Sequence, residues 1–173
     1  MNKTLTAAAA TAALLAALAA CSSKTASSTD NAGSPAKKAA ASKPLTASTA
    51  FTKLATQVTT AKLSDVVTAA NDGNHLLGRP NQYTSKVDFT DSRIKAADVA
   101  DSSKGSVDLG GSIEVFADPT DAQTRAKYIQ AVTKSMPVLA EYDYVHGTVL
   151  VRVSHYLTPA QAGQYKTAAG SLG

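Results

Sequence analysis

An α+β domain, a mostly antiparallel sheet with helices packed on one face, is the fold class that three features of the C-terminal half predict. Ser106 to Ala117 alternates with a period of two: Val107, Leu109, Ile113, Val115 and Ala117 share one parity, and Asp108, Ser112 and Glu114 take the other. Glu141 to His155 contains two more alternating runs on either side of a His-Gly pair. Two further segments open with helix-capping residues, one between these β-like stretches and one after them.

Taken in order, Phe51, Leu54, Ala55 and Val58 are spaced for a short helix, and Leu63 to Ala69 fits a strand or a helix. "NDGNHLLGRPNQY" reads as a compact loop holding one turn of helix, with Gly78 as its stop and Pro80 just beyond. Val87 and Phe89 mark a strand. The run from Ser106 is expected to be one kinked strand rather than a hairpin. A turn at Gly110-Gly111 would put Val107 and Leu109 on the face opposite Ile113 and Val115.

The following helix has Asp118 as N-cap, Pro119 at its first position and Asp121 in its first turn. Its apolar face is Ala122, Ala126, Ile129, Val132 and Met136, and Pro137 ends it. A two-residue turn at His146-Gly147 would then set Tyr144 opposite Val149, Tyr142 opposite Val151 and Glu141 opposite Arg152. One face of that hairpin is Tyr142, Tyr144, Val149, Val151 and Val153; the other is Glu141, Asp143, Leu150 and Arg152. In the last helix Thr158 caps, Pro159 takes the first position and Gln161 closes a capping box. With helices on the apolar face, Phe116, Leu150 and Arg152 are left on the opposite face as a candidate interaction surface; the alternative is that the segment before Asp91 folds over and buries Phe116 and Leu150.

Ahead of this domain, a short basic start (Met1, Asn2, Lys3) leads into an Ala/Leu/Thr stretch from Thr4 to Ala17, too short and weakly apolar for a comfortable membrane span. It ends in Leu18, Ala19, Ala20 and Cys21, and Cys21 is the only cysteine of the chain. "LLAALAAC" resembles the lipobox of bacterial lipoproteins, which implies diacylglycerol on the Cys21 thiol and cleavage between Ala20 and Cys21. The expected organisation is a signal peptide over 1–20, a lipidated Cys21 with a flexible tether over 21–44, and one extracytoplasmic domain over 45–173. The segment from Ser22 to Lys43 has no apolar residue except alanine, so it cannot bury enough surface to offset the entropy of ordering. A flexible tether of about 25 residues reaches roughly 25–30 Å on average.

Charge is uneven. The tether carries Lys24, Lys37, Lys38 and Lys43 against Asp30 alone, whereas Pro44 to Gly173 holds twelve Lys/Arg and twelve Asp/Glu. A nucleic-acid partner is not expected, because neither a basic folded surface nor a basic arm with stacking aromatics is present. Tether lysines suit anionic headgroups or wall polymers. With one thiol, neither an intramolecular disulfide nor a thiolate cluster can form.

Catalytic patterns are sparse. His75, His146 and His155 fall in no metal-binding or catalytic spacing, and the last two take opposite strand parities. Asn71, Asp72 and Asn74 lack the EF-hand spacing and suit an Asx turn that satisfies its own backbone. Asp88 and Asp91 beside Arg93 suit a structural ion pair. There is no G-x-S-x-G or H-E-x-x-H motif and no Gly-rich phosphate loop. No cofactor, metal or catalytic residue is expected.

"NHLLGRPNQYTSKVDFTDSR" and "EYDYVHGTVLVRVSHYLTPAQAGQY" together resemble the body of small, uncharacterised lipoproteins of high-GC Gram-positive bacteria, some encoded on prophages or other mobile elements. The resemblance implies an extracytoplasmic role and assigns no chemistry. The expected function is a binding or interaction module held at the outer face of the cell membrane through lipid on Cys21, with an envelope protein or wall polymer as partner. The alternatives are an envelope hydrolase or transferase acting on wall material, and a lipoprotein that excludes phages or other mobile elements.

Overall fold

The computed structural model describes residues 44–172, all within the unit Ala41–Gly173. The expected signal peptide, its cleavage pair Ala20 and Cys21, and the tether lie outside the described residues. Within them the order is α1 (Ala47–Gln57), β1 (Ala61–Val66), β2 (Ser85–Asp91), β3 (Gly110–Val115), α2 (Pro119–Ser135), β4 (Glu141–His146), β5 (Val149–Ser154) and α3 (Pro159–Ala169). The strands form one antiparallel sheet in the order β1-β2-β3-β5-β4, so the fold is α+β.

Local chemistry places the helix starts. The Asp118 carboxylate accepts from the Thr120 amide at 2.7 Å, and Pro119 begins α2 where no intrahelical amide is needed. Thr158 and Gln161 form the expected capping box, with the Gln161 amide donating to the Thr158 hydroxyl and the Thr158 amide donating to the Gln161 side chain. Thr46 and Thr49 make an equivalent box at α1. Of the ambiguous stretch Leu63 to Ala69, the part as far as Val66 is a strand: it pairs with β2, with a bulge between Leu63 and Asp65.

One sheet face is the main core. Val87, Phe89, Ile113, Val115, Val149, Val151 and Val153 are buried against α1 and α3, which contribute Ala50, Phe51, Leu54, Ala162, Tyr165 and Ala168. Phe89 stacks on Tyr165 with centroids 5.4 Å apart. Gly111 makes this possible, because a Cβ there would stand 2.2 Å from the Arg152 carbonyl oxygen and 2.4 Å from the Phe89 ring. Fully burying each large apolar side chain contributes about 1.5–3 kcal/mol, so this layer holds the domain together without covalent staples.

Four expectations need correction. The hairpin turn is Gly147-Thr148, and the register is Tyr142↔Val153, Asp143↔Arg152 and Tyr144↔Val151, two residues away from that expected. Gly147, at φ 53°, takes the first turn position, which spares His146 a left-handed conformation. A shift of two leaves every side chain on its expected face.

Val107 and Leu109 are not part of the strand. The Ser106 hydroxyl accepts from the Asp108 amide and nucleates a 3-10 turn over Val107–Leu109, so β3 begins at Gly110. The loop after β1 contains hydrogen-bonded turns in place of a helical turn; Gly78, at φ 74°, donates its amide to the Tyr83 carbonyl.

The most consequential correction concerns layering. α1 and α3 cover one face, but α2 lies on the other, where Ala122, Ala126 and Ile129 pack with Tyr83, Phe116 and Leu150. Phe116 and Leu150 are therefore 3% and 0% exposed, and Tyr83 meets Phe116 edge-on with centroids 6.2 Å apart. They form a second core. The face expected to be open is roofed by α2 and by the loop bearing Leu76, Leu77 and Tyr83.

Candidate functional site

The second sheet face carries charge in place of the valines of the first. β2 brings Lys86 and Asp88, β3 brings Ser112 and Glu114, β5 brings Arg152, and β4 brings Glu141 and Asp143. Strand pairing sets them in adjacent rows, with Asp88 beside Ser112, Ser112 beside Arg152, and Arg152 beside Asp143. Because α2 roofs part of this face, most of these groups are buried and must satisfy one another.

Glu114, fully buried on the central strand, is the hub. Arg152 donates from Nη1 to Glu114 Oε1 at 3.1 Å, and Arg125, descending from α2, donates from Nε to Glu114 Oε2 at 3.2 Å. Arg152 also grips Glu141 through Nε at 2.8 Å and Nη2 at 2.9 Å, a bidentate pair of the strong kind. Burial acts to lower the Arg152 pKa, but Glu141 and Glu114 outweigh it and hold the guanidinium firmly charged. Removing one member would strand a buried charge at a cost of about 3–5 kcal/mol.

Asp143 is the unsatisfied member. Its Oδ1 is buried without a hydrogen-bond partner, and burial, then the neighbouring Glu141, push its carboxyl up to about 8 despite the charge of Arg152. Burial and the Glu141 charge thus favour its neutral form. Further along the same face, Asp88 accepts from the Ser112 hydroxyl at 2.6 Å and stands 3.4 Å from Lys86 Nζ.

The loop after β1 is held by Asp72. Its carboxylate accepts from the amides of Asn74, Leu76 and Leu77 and from the Tyr83 hydroxyl at 2.7 Å. Burial acts to raise its pKa, yet these donors prevail and keep it below the usual carboxylate value. Asp72 thus makes the expected Asx-type turn, with Tyr83 as an added anchor. Asp91 and Arg93 pair as expected, with Tyr165 donating to the same carboxylate at 2.6 Å. Asp88 takes different partners, Lys86 and Ser112.

Between α2, this loop and the 106–109 turn lies a cleft of about 700 Å³. Arg152 and Glu141 stand at its floor, Arg125, Tyr128 and Ile129 along the α2 wall, and Asn74, Leu76 and Gln82 along the loop wall. A second depression of about 570 Å³ adjoins it towards Asp88 and Lys104 and shares Asn74, Ser106, Val107 and Arg152. Of the three expected surface residues, Arg152 is in the cleft, whereas Phe116 and Leu150 are beneath α2.

The histidines do not converge on the cleft floor. His75 and His146 are exposed, and His155 lies against the Tyr156 ring in a tilted arrangement, centroids 4.2 Å apart, with Nδ1 3.7 Å from Asp108. Among the described residues no three His, Cys, Asp or Glu side chains are grouped to hold a metal ion, and no helix is long and apolar enough to cross a membrane.

Sequence reasoning missed Arg125, Tyr128 and Asp143 as site residues. The available signal was the polar parity of four strands, which carries acids and bases of both signs; its burial by α2 was needed to turn that pattern into a site. No family model, curated protein or solved structure matches this chain.

Proposed function

We propose that this protein is a membrane-anchored extracytoplasmic lipoprotein that acts as a binding module, with its ligand in the cleft between α2 and the Asn74–Gln82 stretch. The observation that supports a binding role is the division of labour within the cleft. Arg152 spends Nε and both Nη atoms on Glu114 and Glu141, so the floor is a locked scaffold. The walls offer an exposed aromatic ring and amide side chains that can meet a ligand without rearrangement. The anchor rests on the segment that ends at Cys21 and its resemblance to a lipobox.

Two measurements test this reading. Labelled fatty acid should appear on the wild-type chain and not on Cys21→Ser, which should leave the membrane fraction, since two acyl chains anchor at about 0.8 kcal/mol per buried methylene. Equal retention of both proteins, with no label on either, refutes the anchor. Amide NMR of the protein with a soluble digest of cell envelope should show shifts clustered at Arg125, Tyr128 and Gln82; shifts confined to the α1/α3 side refute the cleft.

A further inference from the structure

Arg125 is held as a recognition group and only partly used. Its Nε is committed to Glu114, its guanidinium carbon stands 5.8 Å from the centroid of the Tyr128 ring, and its side chain is only 11% exposed. Both Nη atoms are bonded to no described residue and keep solvent contact, and Arg125 lines the cleft, so the end of the guanidinium fork is free to meet a ligand there. A planar two-donor fork fixed in orientation matches a carboxylate better than a point charge does.

The neighbours narrow the ligand further. Tyr128 is 61% exposed on the cleft wall, an aromatic surface for the apolar C–H face of a ring. Asn74 and Gln82 supply amides that can both donate and accept, and Thr124 adds a hydroxyl. Asp108, on the 106–109 turn, is a carboxylate acceptor for ligand hydroxyls. Ring platform, mixed donors and acceptors, and one anion fork are the complement of a sugar acid. An inorganic anion would leave the ring and the amide acceptors unused.

We propose that the cleft binds a carboxylated saccharide, its carboxylate on the open edge of Arg125 and a sugar ring against Tyr128. This rests on the reading of the cleft as the ligand site. The test is amide NMR of the full chain titrated with a hyaluronan tetrasaccharide, which alternates uronic acid and N-acetylhexosamine, with chitotetraose, which lacks the carboxylate, and with acetate. The hyaluronan fragment should shift the cleft amides and bind about tenfold or more tighter than chitotetraose or acetate.

Arg125→Gln should remove that preference and bring the fragment to the level of chitotetraose. Should Arg125→Gln fold poorly for want of a partner to Glu114, Arg125→Lys keeps the charge and loses the fork, and it should lose most of the preference as well. Tyr128→Ala should weaken both saccharides and leave the fold unchanged. Equal binding of all three probes, or a preference unaffected by the Arg125 variants, overturns the inference. If none of the probes shifts the cleft while an envelope digest does, the carboxylated saccharide is refuted and the binding reading stands.

Discussion

Asp143→Asn should stabilise this protein, and the gain should grow with pH. Asp143 lies on β4 opposite Arg152, with Oδ1 buried and unbonded, and its carboxyl is raised to about 8 by burial and by Glu141. In the unfolded chain the same carboxyl titrates near 3.9. The folded value is the higher one, so the folded state binds this proton more tightly than the unfolded state. The associated stability is complete below about pH 4 and is lost as pH rises towards 8, by about 1.4 kcal/mol per pH unit.

At pH 7 the ceiling on this loss is about 4 kcal/mol, and sharing of the proton with Glu141 together with local relaxation reduces the expected value to about 2 kcal/mol. Asparagine keeps the shape and does not titrate. The assay is urea denaturation of wild type and Asp143→Asn at pH 5, 6, 7 and 8. The gap in unfolding free energy should widen from pH 5 upwards and flatten once Asp143 ionises. An identical gap at pH 5 and pH 7, or a variant less stable than wild type at both, refutes the assignment of Asp143 as a buried neutral acid.

The remaining predictions concern the packing around the site. Phe116→Ser with Leu150→Ser should cost at least about 4 kcal/mol, because both side chains are core beneath α2; a change under about 1 kcal/mol by calorimetry would mean that α2 does not cover them. Gly111→Ala should prevent folding or lower the melting temperature by many degrees, since its Cβ would collide with the Arg152 carbonyl and the Phe89 ring; wild-type-like melting would place the Phe89 ring elsewhere. Tyr83→Phe should cost about 1–3 kcal/mol by leaving the Asp72 carboxylate short of a donor, with the loss greatest where Asp72 is ionised. Denaturation followed from neutral pH downwards measures it: the cost should shrink as pH falls through the lowered Asp72 pKa, and a cost that does not shrink anywhere in the acid range would show that the Asp72 charge is not what Tyr83 satisfies.

Much of the secondary structure was legible because its causes are local. Asp118 with Pro119, and Thr158 with Pro159 and Gln161, satisfy amides within one helical turn, so the helix starts follow from neighbouring residues. The two hairpin faces were readable because period-two alternation survives the two-residue change of register that Gly147 imposes. The local signal was weaker between Leu63 and Tyr83, where strand and turn depend on β2 and on the Asp72 carboxylate.

What only tertiary structure decided is which face α2 covers, and everything at the cleft follows from that. The sequence by itself determined an alternating sheet with charges of both signs on one face. It did not determine whether that face meets water or a helix, because α2 is amphipathic in either arrangement. Once α2 lies there, Glu114 meets Arg125 eleven residues away and Arg152 thirty-eight residues away. The Asp143 carboxyl is pushed well above its usual range, and Phe116 and Leu150 become core. Such pairings depend on desolvation and on contacts distant along the chain, which local propensity and periodicity do not encode.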